Sequence, residues 1–336
     1  AYLDRDGKLL RLTLARDQRY RLYRRLDQIS PRFVEATLLY EDRDYYDHAG
    51  VDFSALLRAF RDTYITRERR IGASTITMQV ARLRWGIASN TIAGKLEQIL
   101  RAIQLTRHYS KRELLEIYFN IAPYGRNIEG IGAASLVYFD KTPDRLSLPE
   151  ALTLAVVPQN PGKRNPTSAA GYAELLRARA ILLERWLQRH PGDRAQGKYF
   201  DLPLQVRAPE QLPYRAPHFV DHLERRLPRY DHGIVATTLH GARQQRMETL
   251  LARYVEARAE QGIRNAAALL LNHETMQLEA MIGSADFFDA AIQGQVNGTL
   301  AKRSPGSTLK PFVYALAMDE GLVHPLSLMR DAPRRF

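Results

Sequence analysis

Cysteine is absent from the 336 residues, which excludes disulfides, thiolate metal sites and a cysteine nucleophile while leaving the compartment open. No apolar run approaches the roughly 18 to 20 residues that span a bilayer; the longest candidates, LTLAVV and AAALLL, are the size of core segments. No signal-peptide pattern is visible either. The chain starts at AYLDRDGKLL, within what reads as a strand and turn, so it is expected to be the soluble part of something larger, with any anchor before Ala1. Acidic residues are in deficit. Lys and Arg number 49 against 37 Asp and Glu, and the net charge of +12 favours an acidic partner such as phosphates, nucleic acid or an anionic membrane surface. An apolar content of 45% with 26% charged residues excludes disorder. The length allows two domains, or one with part of another.

From Pro31 to about Pro158 the pattern is helical. In AGKLEQILRAIQL, Leu96, Ile99, Leu100 and Ile103 fall at helical spacing and are expected to form one buried stripe. Lys95 and Gln98, one turn apart, would then lie off it. SKRELLEIYFN opens with Ser110 and Glu113 at capping-box spacing, and SLPEALTLAVVP reads as a helix closed by the turn chemistry of PQNPG. PQNPGKRNPTSAAG then reads as the exit of a compact α domain. A helix around Ala173 to Arg189 and a Pro-rich linker from Pro191 to Pro217 follow. IVATTL has strand character, GARQQRMETLLARYVEARAE is helical, and AAALLLNHETMQLEAMIG is two apolar runs around a turn. The second half is therefore α+β.

Four places carry chemistry in the first half. The stretch YEDRDYYDHAG, residues 40–50, follows the apolar run FVEATLL, so Glu41 emerges at a helix C-terminus beside apolar surface. Desolvation and the negative end of the helix dipole both raise its pKa, which suits a general base. An isolated EDRD also fits a surface ion-pair cluster. In RRIGASTITMQVARL a helix after Gly72, Ala73 and Ser74 places Ile76, Val80 and Leu83 on one face and Thr75, Gln79 and Arg82 on another. Hydroxyls, an amide and a guanidinium at that N-terminus read as a phosphate cradle, or as a capped helix with no ligand. Lys95 with Gln98 is the third place. PYGRNIEGIGAAS is the fourth, its Gly125, Gly130 and Gly132 allowing close backbone approach around Arg126, Asn127 and Glu129. In the second half, KRSPGSTLKPFVYALAMDEG contains S-x-x-K as Ser307 and Lys310, three apart and so on one helical face, where the amine could take the serine proton. A bare S-x-x-K is common.

Taken in order, EDRDYYDHAGVDF, GASTITMQ, the Lys95 helix, SKRELLEIYFN and PYGRNIEGIGAA resemble the peptidoglycan glycosyltransferases at the N-terminus of class A penicillin-binding proteins, over roughly residues 1–165. The resemblance implies a mostly α, lysozyme-like domain that polymerises lipid II, the lipid-linked disaccharide precursor, into β-1,4 glycan strands. The work would take place at the outer, periplasmic face of the bacterial cytoplasmic membrane. It makes Glu41 the catalytic base that deprotonates the acceptor's 4-hydroxyl, with inversion at the donor carbon. Asp42, Arg43 and His48 match positions that shape this site. Ser74, Thr75, Gln79, Arg82 and Lys95 match positions lining the donor cleft that holds the leaving pyrophosphate, with Gln98 and Arg126 as further substrate-binding positions. There are departures. Gly94, Lys95 and Gln98 stand where an Arg-Lys pair and a second glutamate are usual, and Asn90 replaces an arginine. A departing pyrophosphate needs charge neutralisation rather than an acid, so the chemistry does not require the second carboxylate. A weak or inactive lipid II-binding scaffold is the alternative. These variants and PHFVDHL, residues 217–223, are similar to the 1C branch of the family.

Residues 235–336 resemble the start of a penicillin-binding transpeptidase domain, with Ser307 and Lys310 in catalytic positions after a hairpin and Pro305-Gly306. The S-x-N and Lys-Thr-Gly motifs of such domains are missing, and no asparagine follows Lys310. The expected division is a glycosyltransferase domain over 1–165, a linker region over 166–234 and a partial α+β transpeptidase domain over 235–336. Cross-linking and efficient acylation by β-lactams are expected only of a longer natural chain. Expected partners are lipid II, the growing glycan strand and membrane lipids, the last through Lys and Arg with Phe60, Tyr64 and Ile65 as apolar candidates. Other cell-wall synthesis proteins stay open as partners. Nucleic acid is not expected, because the arginines scatter over amphipathic helices rather than interleaving with exposed aromatics. No metal site or other cofactor is read, and a divalent cation such as magnesium stays open.

Overall fold

The computed structural model describes residues 1–57, 74–88, 91–200, 202–227 and 233–329, for 196–198 the backbone only. Phe60, Tyr64, Ile65, Gly72, Ala73 and Asn90 lie outside the described residues. The chain divides into two compact units, Ala1–Ala242 and Arg243–Phe336.

The first unit is mostly helical. Its sheets are small: β1 (Tyr2–Leu3) pairs antiparallel with β2 (Leu9–Arg11), and β3 (Tyr20–Arg21) pairs parallel with β4 (Ile128–Glu129). Helix α1 (Pro31–Glu41) starts with proline at its first position, where no amide hydrogen is needed, and ends as Asp42 turns extended. Helix α2 (Ile76–Trp85) is capped by the Thr75 side chain and stopped by Gly86 in the left-handed region, φ 65°. α3 (Ile92–His108) is capped by Thr91, and α4 (Lys111–Ile121) by the Ser110–Glu113 box legible in the sequence. α5 (Ile131–Phe139), α6 (Leu148–Val156) and α7 (Ala169–Arg189) complete the bundle, followed by α8 (Pro217–Arg226). α1 packs on α6 and α7, while α2 packs on α3 and α4. One core joins them through Phe33, Val80, Leu115, Leu152, Leu182 and Trp186. Burying such side chains stabilises by about 1.5 to 3 kcal/mol each.

Three expectations change. The proposed stripe on α3 is only half buried: Ile99 and Ile103 pack against Val51, Met78 and Ala102, whereas Leu96 is 57% and Leu100 69% exposed, with Ile92 also exposed. The helix instead turns Gly94, Gln98, Ala102 and Leu105 inward. Small residues let it approach closely: a Cβ at Gly94 would stand 1.9 Å from the Ala88 carbonyl oxygen. The region 166–234, expected as a linker, contains α7, whose Leu175, Leu182 and Trp186 belong to the first unit's core. Finally, IVATTL supplies β5 (Val235–Ala236), which pairs parallel with β1 inside the first unit.

In the second unit, α9 (Gly241–Ala257) is tied to a hairpin of β6 (Ala268–Leu271) and β7 (Leu278–Ile282). The Gln244 amide donates to the Met281 carbonyl at 3.0 Å and accepts from its N–H at 2.8 Å. The chain then runs to α10 (Lys310–Asp319).

Candidate active site

Glu41 closes α1 where that helix meets α2. Gln79 Nε2 donates to Glu41 Oε2 at 2.8 Å, while Oε1 is sealed from solvent with no partner in the protein. Burial pushes the Glu41 carboxyl up to about 7 from an ordinary 4.5; the Gln79 hydrogen bond, then the Arg164 and Arg82 charges, oppose the rise. Near neutral pH the group is therefore divided between base and acid, as proton transfer requires.

The neighbouring side chains hold the junction. Asp42 Oδ2 accepts the Ile76 N–H at 2.9 Å, and Oδ1 lies 2.9 Å from His48 Nε2. Gly50 N–H donates to His48 Nδ1 at 3.2 Å, so the Nε2 proton is the one directed at Asp42. The Thr75 hydroxyl donates to the Gly50 carbonyl at 2.6 Å and accepts from Met78 N–H at 3.2 Å. Gly50, at φ +90°, has no room for a side chain, since a Cβ would stand 2.6 Å from Thr106 Cγ2. The phosphate cradle expected at the start of α2 is thereby corrected. Two of the amides at that N-terminus are already taken, Ile76 N–H by the Asp42 carboxylate and Met78 N–H by the Thr75 hydroxyl. Asp42, His48 and Thr75 are joined as a brace between α1 and α2.

The cationic side of the site lies one helix further on. Lys95 Nζ of α3 donates to Ser74 Oγ and, at 3.3 Å, to Gln98 Oε1. Burial, then the Arg82 charge, lower the Lys95 pKa. Arg82, half-buried on α2, thus acts on both Glu41 and Lys95. Gln98 is only 1% exposed and its Nε2 has no partner in the protein, so Lys95 and Gln98 do not form a solvated face. Two expected positions are paired with other side chains. Arg43 is exposed beside Asp44 at 3.4 Å, and Arg126 is held by Glu210. Among the described residues no group of three or more His, Cys, Asp or Glu is arranged to hold a metal ion.

Sequence reasoning missed Arg164. Its Nη1 donates to the Tyr40 hydroxyl and the Val156 carbonyl, both at 2.8 Å, and its charge acts on Glu41 more strongly than any other. The segment KRNP signalled only a turn. In the second unit, Ser307 sits in the single 3₁₀ turn Gly306–Leu309 and α10 begins only at Lys310. The expected shared α-helix is therefore corrected. Both side chains are exposed, and no hydrogen bond joins them.

Residues 6–186 match the transglycosylase family. The chain belongs to that family. Beyond this transglycosylase region, residues 266–335 match the penicillin-binding protein transpeptidase domain. Over 92% of its length the chain is 41% identical to penicillin-binding protein 1C of Escherichia coli, covering 39% of that protein. It is 30% identical to penicillin-binding protein 2D of Bacillus subtilis, over 98% of the chain and 48% of the relative. With penicillin-binding protein 1A of E. coli the identity is 31%, over 71% and 28%. The chain spans less than half the length of each of these curated relatives.

Proposed function

We propose that the chain polymerises lipid II into β-1,4 glycan strands by inverting glycosyl transfer, with release of undecaprenyl pyrophosphate. The observation that carries this reading is the contact of Glu41 with Gln79 at 2.8 Å, on the helix that also bears Arg82. Glu41 takes the proton of the acceptor's 4-hydroxyl as that oxygen attacks the donor's anomeric carbon. The bond from that carbon to the diphosphate oxygen breaks, and its electron pair leaves on the diphosphate. Arg82 and Lys95 receive the charge, with Ser74 and the Gln98 amide as neutral hydrogen-bond partners. Gln79 orients the carboxylate; Asp42, His48 and Thr75 fix the helix junction behind it. No acid is needed at the leaving group, which accommodates a neutral Gln98. The test is polymer formation from lipid II by the purified chain and by Glu41→Gln. An equally active variant removes Glu41 from the role of base.

A second reading follows from the same neutral Gln98: a scaffold that binds lipid II without turnover. Tight binding with no polymer, across detergents and with or without magnesium, would favour it. Membrane lipids enter as partners through Ile92, Leu96 and Leu100, exposed along one side of α3. This supports a site of action at the outer face of the cytoplasmic membrane, and unchanged vesicle binding in Leu96→Ser/Leu100→Ser argues against it. Residues 243–336, the second unit, are proposed as the opening of a transpeptidase domain that does not acylate efficiently in this chain. Stoichiometric labelling of Ser307 by a fluorescent penicillin overturns that.

A further inference from the structure

Two tyrosines that the proposed mechanism does not use feel the Glu41 charge. Tyr118, on α4, and Tyr124, in the loop between α4 and β4, are both fully buried. Neither hydroxyl has a hydrogen-bond partner in the protein, and the same is true of Glu41 Oε1. Buried polar oxygens without partners are rare, because each costs about 1 to 3 kcal/mol. Here there are three, two of them on tyrosines of the same core. The Glu41 carboxylate is the charge that acts most strongly on each phenol, and Tyr118 also responds to Tyr124. Tyr124 is held rigidly: its N–H donates to Ile128 O at 3.0 Å, and its carbonyl accepts the Tyr138 hydroxyl at 2.7 Å.

The chemistry of the three groups is complementary. A phenol donates, whereas an ionised carboxylate oxygen only accepts. No hydrogen bond joins the three oxygens directly, and an internal water, which takes about three partners, is the kind of group that would satisfy them together. We infer that Tyr118 and Tyr124 are positioning residues for Glu41, gripping Oε1 through a shared internal water so that Oε2 stays with Gln79 and the reacting hydroxyl. The inference rests on the reading of Glu41 as base. The other groups around the carboxylate are Tyr40 and Asp42 on its own strand of chain, Gln79 and Arg82 on α2, and Arg164 from the 157–168 turn. Arg82 and Arg164 also favour the ionised form. The tyrosine grip acts in the same direction, since hydrogen bonds donated to a carboxylate stabilise its charge.

The experiment follows the Glu41 carboxyl band by infrared titration of the full chain, the band being identified by its loss in Glu41→Gln. In Tyr118→Phe/Tyr124→Phe the Glu41 midpoint is expected to rise by about one pH unit. The acid limb of lipid II turnover should rise with it, and each single variant should give a smaller shift of the same sign. A purely structural role would lower turnover by the same factor at every pH and leave the midpoint in place. An unmoved midpoint in folded single and double variants overturns the inference, whatever their turnover. Wild-type turnover in Glu41→Gln would instead overturn the base assignment and leave the titration result standing.

Discussion

Glu41 and Ser307 each stand near a helix terminus beside a basic side chain, and the two regions treat them in opposite ways. Glu41 is enclosed by α1, α2 and the 157–168 turn, and burial makes it proton-hungry. Ser307 lies exposed in a turn, with Lys310 exposed and not bonded to it. The contrast teaches that a reactive group is made by desolvation and by contacts from remote chain, more than by the residue next to it. Gln79, 38 residues away, orients Glu41. Within the described second unit no such remote contact reaches Ser307.

This comparison breaks most directly under paired substitution. Glu41→Gln is expected to lower glycan polymerisation by on the order of a hundredfold to ten-thousandfold, while Ser307→Ala leaves the same assay unchanged. Similar losses in both would erase the distinction. A smaller effect is expected at the leaving-group side: Lys95→Ala should reduce turnover about a hundredfold, measured at saturating lipid II.

The pH response sharpens the difference further. The folded-state pKa of Glu41 is raised from 4.5 to about 7, so this group favours the fold below pH 4.5 and that contribution is lost as pH rises through about 7. On the proposed reading turnover is expected to run the other way, climbing through about pH 7 as Glu41 ionises. Glu41→Gln should therefore melt higher than wild type above pH 7 and converge with it below pH 4.5, read by thermal unfolding across pH. A smaller effect is expected at the brace. Thr75→Ala removes a helix cap and should cost about 1 kcal/mol in denaturant unfolding. Arg43→Ala, at an exposed side chain, should stay within about 0.5 kcal/mol.

Legibility followed the range of the interactions involved. The Ser110–Glu113 box acts within four residues, so local spacing located it. The β6–β7 hairpin, with its pairing of Ala268 to Ile282, was legible from two apolar runs about a turn. The α3 face was half misread: Ile99 and Ile103 do pack on a core cluster, but close packing selected the small Gly94 and Ala102 with Leu105 for the inner side and left Leu96 and Leu100 exposed. Arg164 was invisible because nothing in KRNP indicates that its guanidinium meets Tyr40, 124 residues earlier.

By itself the sequence determined where most helices begin and end, and it singled out Glu41, because caps and amphipathic spacing are written in neighbouring residues. Only the tertiary structure decided which polar groups stay available. It committed Asp42 and Thr75 to the start of α2, turned Gln98 inward and sealed one oxygen of Glu41. Desolvation depends on what packs over a side chain, and that covering comes from segments distant in the chain.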